Sequence, residues 1–290
     1  NQDRALCASL ACGTELLAVF DGHGDDGHCV AETACELLPK QILRCLCQAQ
    51  QHDPCNPQDS NGGDWWREAA ARAFESVHGL LEVSTAKLLT GQEEPQLLLD
   101  ARTSGTTATV ALLLPGQRLL VAHVGDSRAV FGTRRRGAAA WHSMELTRDH
   151  KPELADERVR IESCGAQVVN VGSPPHTTHR VFTPQQNWPS INMSRSLGDL
   201  HAHTQGLSAA AEVCLVEQLW HPSVDAVLIL ASDGVWDVID AAAAVELSAR
   251  SAQHGDDPSA SLAWEAYERW AARGLQAAYS DDITAIVKFL

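Results

Sequence analysis

Four apolar segments of this sequence each meet aspartate at a corner. Three of them run into Asp21-Gly22, Gly125-Asp126 and Asp233-Gly234, and a fourth begins directly after Asp281-Asp282. A carboxylate at a strand end is held by a rigid sheet and still faces solvent, where its oxygens can bind a hard cation. An adjacent glycine lets a ligand approach the backbone closely. Together the four corners predict a metal site assembled from distant segments.

The oxygen-rich residues at these corners favour magnesium or manganese over zinc. Two such ions about 4 Å apart can share a water molecule and lower its pKa, which yields hydroxide at neutral pH. Asp21 is the candidate that bridges the two ions, and the Gly22 carbonyl is a further oxygen ligand. Asp233 and Asp281 would complete the shell of the first ion.

His23 follows Gly22 and is expected to point into the same cleft. The unperturbed pKa of histidine lies near neutrality and acidic neighbours raise it, so this imidazole can give a proton to a departing alkoxide. A metal-activated nucleophile, neutralisation of charge and a proton donor are the parts that hydrolysis of a phosphate ester requires. The sequence therefore predicts that reaction.

The overall charge argues against nucleic-acid binding. The chain has 22 lysines and arginines against 37 aspartates and glutamates, a net charge of -15, whereas a nucleic-acid surface needs a basic face. An acidic protein can still act on phosphorylated partners when metal ions supply the positive field. No run of eighteen apolar residues occurs, so we expect no membrane span.

The cysteines and histidines show no pattern of a disulfide framework or a zinc site. Nine cysteines are scattered without a C-x-x-C pair, and the 13 histidines lack ligand spacing. This usage favours an intracellular, reducing compartment, with the cytoplasm as the first expectation. The polar start at Asn1 indicates that the sequence begins inside a domain, so any targeting segment upstream would not be visible.

Apolar periodicity predicts both strands and helices. Strands are predicted over 15–20, 106–112, 119–124, 128–131, 227–231 and 283–287. Helices are predicted over 30–48, 65–89, 153–164, 241–252 and 260–278. Pro39 is expected to kink or break the first helix. Turn formers and prolines predict irregular loops over 51–64 and 172–190.

The order of these elements predicts an α+β fold. Helices cluster after the first strand and before the last, with the strands between them, which indicates a four-layer αββα sandwich of two central antiparallel sheets flanked by helices. We find no internal repeat and no interdomain linker, so residues 1–290 are expected to form a single domain.

Seven motifs resemble signatures of the protein phosphatase 2C (PPM) family. In chain order they are Asp21-Gly22-His23-Gly24, Ser104-Gly105-Thr106-Thr107-Ala108, Val124-Gly125-Asp126-Ser127-Arg128-Ala129, Asp149-His150-Lys151-Pro152, Ser194-Arg195-Ser196-Leu197-Gly198-Asp199, Ala231-Ser232-Asp233-Gly234 and Asp281-Asp282-Ile283-Thr284-Ala285. They occur in the family's order and cover nearly the whole chain, so the resemblance is much more specific than one motif.

The resemblance implies a Mg²⁺- or Mn²⁺-dependent phosphatase that acts on phosphoserine and phosphothreonine in proteins. It implies that a hydroxide bridging two ions attacks phosphorus and that His23 is the general acid. On the matching positions, Asp21 bridges both ions, Gly22 contributes its carbonyl, and Asp233 and Asp281 bind the first ion.

Three further expectations follow from the resemblance. Asp126 matches an aspartate of a third, weaker metal site that it shares with Asp233, and Asp3 matches the acidic residue of the family's N-terminal motif. Residues 151–189 correspond to a flap beside the cleft that is linked to substrate choice. We also expect a monomer.

The chain departs from the family's pattern near its start. Gln2 stands where many relatives have glutamate, which removes one possible ligand of the second ion. The arginine that usually contacts the substrate phosphate lies upstream of this motif, and Arg4 is not an evident substitute. These departures bear on rate and phosphate affinity, not on the reaction class.

Several positions allow a second interpretation. Asp126 could simply stabilise a tight turn, and Asp282 could replace Asp281 as the ligand. Arg195 and Asp199 are expected to form an ion pair that supports the flap.

Two other functions compete with hydrolysis of phosphoproteins. Gln2 motivates a pseudophosphatase that binds phosphoproteins as a scaffold, although the presence of aspartate at 21, 233 and 281, where the family's motifs have it, argues against it. A metal-dependent nuclease is disfavoured by the acidic charge balance.

Overall fold

Two large antiparallel sheets lie face to face in the computed structural model, which describes residues 1–10, 13–52, 64–90, 99–173, 176–184, 189–217, 221, 223–273 and 280–290. Elements are numbered along the chain. The first sheet contains, in spatial order, β1 (Arg4–Ser9), β2 (Glu15–Phe20), β5 (Ala108–Leu114), β6 (Arg118–Val124) and β13 (Glu212–Val216). The second contains β15 (Ala285–Phe289), β14 (Val224–Ala231), β7 (Arg128–Arg135) and β8 (His142–Glu145).

Two small antiparallel sheets accompany them. One is formed by β11 (Pro189–Ile191), β10 (His176–Phe182) and β9 (Gln167–Ser173), and the other by β12 (Leu197–Gly198), β4 (Gly105–Thr106) and β3 (Gly22–His23). The helices are α1 (Gly27–His52), α2 (Asp64–Thr90), α3 (Ala155–Ser163), α4 (Leu200–His203), α5 (Asp233–Trp236), α6 (Ala241–His254) and α7 (Pro258–Ala272).

Apolar side chains of the central strands alternate between two cores, one on each face of the sheet. In β2, Leu16 and Phe20 pack in a core with α1 and α2, whereas Leu17 and Val19 pack between the two sheets. Successive side chains of a strand point to opposite faces, so one strand serves two cores. All the residues of β2 after Glu15 are buried for this reason.

The second sheet repeats this arrangement on the other side. Leu228 and Leu230 of β14 join the core between the sheets. Val227 and Ile229 of the same strand pack with Leu262 and other apolar residues of α6 and α7. The order is therefore helices, sheet, sheet, helices, and the predicted αββα sandwich is confirmed.

The helix ends follow the local sequence. The Asp240 side chain accepts a hydrogen bond from the Ala243 amide at the start of α6, and Asp257 caps α7 directly before Pro258. The predicted break at Pro39 does not occur, because α1 is continuous from Gly27 to His52. An interior proline costs a helix about 3 kcal/mol, and burial of apolar residues on both sides of Pro39 offsets it.

The flap is more regular than the sequence predicts. The irregular loop expected over 172–190 is wrong where the residues are described, since β9 and β10 pair from His176↔Ser173 to Phe182↔Gln167 and β11 adds a third strand. Ile161, Val181 and Met193 belong to a separate small core beneath it. Of the prolines that are described, Pro184 lies in a turn and Pro189 opens β11, and both positions admit proline.

Other boundaries differ in detail. The predicted loop over 51–64 lies mostly outside the described residues, as do residues 274–278 of the last predicted helix. The edge strands β1 and β13 were not predicted. Within the described part of the chain, seven cysteines are all free, as expected, and no helix has the length and apolar character to cross a membrane.

Candidate active site

The predicted site residues lie where strands of the two large sheets end. Asp21 directly follows β2, Asp126 follows β6, Asp233 follows β14, and Asp281 precedes β15. Asp3 lies just before β1. The chain segments that the sequence separates by up to 278 positions therefore meet at one edge of the sandwich.

A cleft of about 730 Å³ opens at this edge. Its lining residues include Gln2, Asp21, Gly22, His23, Arg180, Asp233, Asp237, Arg273, Asp281 and Asp282. Four of the predicted metal ligands (Asp21, Gly22, Asp233 and Asp281) and the predicted general acid thus line one cleft. Asp237 is an additional carboxylate that the sequence did not single out.

The backbone of Asp21 is fixed by two threonines. The Thr107 amide donates to the Asp21 carbonyl at 2.9 Å, and the Asp21 amide donates to Thr107 Oγ1 at 3.0 Å. Thr106 Oγ1 also donates to that carbonyl at 3.1 Å. The Ser-Gly-Thr-Thr motif therefore serves to hold the first aspartate corner in place.

The carboxylates are close enough to perturb one another strongly. Burial raises the pKa of Asp21 well above its usual range, and the charges of Asp233, Asp3 and Asp126 raise it further. Burial likewise raises the pKa of Asp233, and the charges of Asp126 and Asp281 raise it further. Like charges held this close favour protonation or a bound cation.

Asp3 completes the cluster from the opposite side. Burial raises the pKa of Asp3, although hydrogen bonds that include one from Ser232 Oγ to Asp3 Oδ2 at 2.9 Å oppose this shift. Burial raises the pKa of Asp281 as well. The Asp282 carboxylate accepts from the Gln2 amide at 2.6 Å, and Asp281 Oδ1 accepts from the Asp282 amide at 2.9 Å, so hydrogen bonding does not decide which of the two is the ligand.

Among the residues that the structure describes, two buried carboxylate oxygens have no hydrogen-bond partner. These are Asp3 Oδ1 and Asp126 Oδ1, and both residues are almost fully buried. The other oxygen of Asp126 accepts a hydrogen bond from Lys151 Nζ. Buried polar atoms are normally paired, and an all-oxygen set of donors suits Mg²⁺ or Mn²⁺. The residues present therefore fit a site for hard divalent cations.

His23 contacts Asp199, which the sequence analysis had paired with Arg195. Its Nε2 lies 2.7 Å from Asp199 Oδ2, and Ser196 Oγ donates to the same oxygen at 2.6 Å. The expected Arg195–Asp199 ion pair is wrong, because Arg195 binds buried Glu157 at 2.5 Å. Both arginine and histidine can pair with a carboxylate, and only the folded chain decides between them.

A small sheet brings Asp199 to His23. Strand β4 pairs with both β3 and β12, so Gly105 lies opposite His23 on one side and Gly198 on the other. A Cβ on Gly105 would lie 2.0 Å from Asp199 Oδ2, so only glycine admits the carboxylate here. In the sequence, only the glycines of the Ser-Gly-Thr-Thr and Leu-Gly-Asp motifs indicated that Asp199 could approach His23 so closely.

The pair sets the protonation of His23. Burial lowers the pKa of His23, but the charge of Asp199 and its hydrogen bond outweigh that effect, and the net pKa is raised. The Nδ1 atom of His23 is buried and has no hydrogen-bond partner. The raised pKa favours the protonated imidazole, with one nitrogen committed to Asp199.

Two arginines line the cleft although the sequence identified neither. Arg180 reaches it from β10 and donates to the Ser190 carbonyl at 2.6 Å. Arg273 follows α7, and its guanidinium lies 4.8 Å from the Trp270 ring centroid. Arg4 pairs instead with Glu32 at 3.2 Å.

A second group of possible metal ligands, His123, His150 and Glu212, lies apart from the cleft. The Gly125 amide donates to His150 Nδ1 at 3.1 Å, which leaves the ring proton on Nε2, 3.8 Å from Glu212 Oε2. His123 Nε2 is 3.0 Å from the Arg148 carbonyl. These contacts account for both nitrogens of His150 and for Nε2 of His123.

Comparison with known proteins gives the family. The model of the family described as "Protein phosphatase 2C" matches residues 6–274. The chain belongs to the protein phosphatase 2C family. It is therefore a protein phosphatase, and thus a hydrolase, of a metal-dependent class, as its motifs predicted.

Curated plant relatives share the full length of the chain. It is 34% identical to a probable protein phosphatase 2C 48 of Oryza sativa subsp. japonica, covering 100% of this chain and 80% of that protein. It is 32% identical to a probable protein phosphatase 2C 72 of Arabidopsis thaliana, covering 100% of this chain and 81% of the relative.

Solved structures share the fold. A serine-threonine phosphatase 2C from Toxoplasma gondii superposes with a TM-score of 0.78 at 22% identity, over 99% of this chain and 90% of the other. A sex determining protein of C. elegans gives a TM-score of 0.71 at 22% identity, over 99% of this chain and 61% of the other. At this level of identity the comparison supports the architecture alone.

Proposed function

We propose that this phosphatase hydrolyses phosphoserine and phosphothreonine in proteins and that it requires Mg²⁺ or Mn²⁺. The observation that carries the proposal is the convergence of Asp21, Asp233 and Asp281 on one cleft with His23. Membership of the protein phosphatase 2C family supports the reaction class. Residue preference, cofactor and mechanism are the proposed parts.

The proposed cation ligands are Asp3, Asp21, the Gly22 carbonyl, Asp126, Asp233 and Asp281. Two ions would occupy the site, with a third, weaker one at Asp126 and Asp233. Bound there, the ions would supply positive charge to the phosphoryl oxygens and lower the pKa of a water nucleophile. The unpartnered oxygens of Asp3 and Asp126 support this assignment.

His23 is the proposed proton donor to the departing serine or threonine oxygen. Its Nε2 is committed to Asp199, so the transferable proton is carried on Nδ1. An aliphatic alkoxide is a poor leaving group, and general acid catalysis contributes about 10²–10⁴-fold in such reactions. Asp199 fixes the ring and favours its protonated form.

Arg180 and Arg273 are the side chains proposed to contact the phosphate of the substrate. They are the arginines that line the cleft in the described part of the chain, and guanidinium groups bind phosphate oxygens strongly. They would take the place of the family's arginine upstream of the N-terminal motif.

The test is phosphate release from phosphoserine and phosphothreonine peptides with Mn²⁺ or Mg²⁺, with EDTA, and after metal is restored. We expect turnover only with metal, and no turnover in Asp21→Ala or Asp233→Ala that retain the native circular dichroism. Asp256→Asn, at an exposed aspartate between α6 and α7 that is not among the residues lining the cleft, is the matched control. Full activity in excess EDTA would refute the metal requirement.

The same experiment tests the scaffold alternative. Gln2 places an amide in the cleft where many relatives have a carboxylate, and its side chain donates to the Gly24 carbonyl at 2.8 Å. Absence of turnover, together with no Mn²⁺ binding by calorimetry, would favour a phosphoprotein-binding scaffold. The monomeric state and the reducing compartment stay predictions from the sequence.

A further inference from the structure

An exposed aromatic pair lies on α7, beside the catalytic cleft. Trp264 is 62% exposed and Tyr267 is 49% exposed. Their ring centroids are 5.6 Å apart, and the Trp264 indole N–H donates to Glu268 Oε1 at 3.0 Å. Large aromatic side chains are normally covered, so a fixed and exposed pair indicates a contact surface.

The pair lines a groove that continues into the cleft. This aromatic groove, of about 470 Å³, is lined by Asn1, Ala260, Ala263, Trp264, Tyr267, Ser280, Asp281, Asp282 and Ile283. Asp281 and Asp282 also line the catalytic cleft. A peptide whose phosphorylated residue sits in the cleft can therefore pass over these two aspartates and lie along α7.

The charges of the groove select a cationic occupant. Asp282, which the proposed cation site does not use, borders its cleft end, Glu268 accepts a hydrogen bond from the indole of Trp264, and no lysine or arginine side chain lines the groove among the described residues. Guanidinium and ammonium groups bind the faces of tryptophan and tyrosine, and the carboxylates add attraction. An acidic or phosphorylated segment would be repelled.

We infer that the aromatic groove binds a basic stretch of the phosphoprotein substrate, with lysine or arginine at some distance from the phosphorylated residue. The inference rests on the proposed function and adds a substrate preference to it. Arg180 and Arg273 then receive the phosphate on one side while α7 receives the basic flank on the other.

The test compares three substrates with Mn²⁺: p-nitrophenyl phosphate, a phosphothreonine peptide with neutral flanks, and a series in which arginines are placed at increasing distances on either side. We expect the best basic peptide to exceed the neutral one in kcat/KM by about threefold to tenfold, from one or two cation–π contacts. Added salt should reduce this ratio.

Substitutions in the aromatic groove test whether the preference for basic peptides arises there. In Trp264→Ala and Tyr267→Ala the ratio of basic to neutral peptide should fall towards one, while hydrolysis of p-nitrophenyl phosphate is unchanged. Trp264→Phe keeps an aromatic face and should retain most of the ratio. Met144→Ala, an exposed apolar side chain on β8, is the matched control.

The outcomes separate the two proposals. If the wild type hydrolyses p-nitrophenyl phosphate but does not prefer any basic peptide, or if the preference survives in both alanine variants, the inference about the groove is overturned. If the wild type hydrolyses none of the substrates with metal, the proposed function fails and the groove inference falls with it.

Discussion

Replacing Asp199 by asparagine should slow the hydrolysis of phosphopeptides by about tenfold to a hundredfold. Asp199 is almost fully buried and its Oδ2 lies 2.7 Å from His23 Nε2. A hydrogen bond to a charged group contributes about 1.5–3 kcal/mol, and each 1.36 kcal/mol is a factor of ten in rate. Asparagine keeps the size of the side chain but removes the charge that favours protonated His23.

The assay separates proton donation from other effects by its choice of leaving group. Phosphothreonine releases an alkoxide that needs a proton, whereas p-nitrophenyl phosphate releases a stable phenolate. With Mn²⁺, Asp199→Asn should therefore lower kcat for the peptide much more than for p-nitrophenyl phosphate. Ser196→Ala removes a hydrogen bond to the same carboxylate oxygen but leaves the charge, and should have the smaller effect.

A double-mutant cycle with His23→Gln completes the test. If Asp199 acts through His23, its replacement should cost little once the imidazole is gone, because the two residues act as one unit. Equal losses for the peptide and p-nitrophenyl phosphate, or additive losses in the cycle, would refute the positioning role of Asp199.

Three further predictions concern the cation site, phosphate binding and the flap. Asp21→Asn should raise the thermal midpoint of EDTA-treated protein, since it removes one of several repelling carboxylates, while turnover is lost; a lower midpoint by scanning fluorimetry would contradict this. Arg273→Ala should raise KM for phosphopeptides by about tenfold with a smaller change in kcat, and an unchanged KM in steady-state assays would exclude the contact. Burial raises the pKa of Glu157, but hydrogen bonds from Arg160 and Arg195 bring it to about 2. Its stabilisation, about 3 kcal/mol, is therefore complete above the ordinary pKa near 4.5 and lost as the pH falls towards 2. In Glu157→Gln, denaturant unfolding should show a lower free energy at pH 7 and a weaker dependence on acid; identical curves would disprove it.

The layers of the fold follow from local pattern. Leu16 to Phe20 and Val227 to Ala231 are apolar at every position, which is the signature of strands covered on both faces. Such strands require helices outside and a second sheet inside, so the sandwich was predictable. The flap was not, because its prolines and polar residues obscure the pairing of β9 with β10.

The aspartate corners were predictable for a similar reason. Asp21, Asp126, Asp233 and Asp281 each adjoin a strand, and adjacent motifs fix the backbone locally. Partners of charged side chains were much harder to predict. Arg195 and Asp199 are four residues apart in sequence, yet each binds a residue from another element.

The sequence by itself determined the two-sheet sandwich, the family and the carboxylates that face one edge, because alternation and short motifs are local properties of the chain. The tertiary structure decided which charges meet: Asp199 with His23, Arg195 with Glu157, and Arg180 and Arg273 with the cleft. Long side chains can reach many partners, and the packing of separate elements selects among them: β3, β4 and β12 for Asp199 and His23, α3 for Arg195, and β10 and α7 for the two arginines of the cleft.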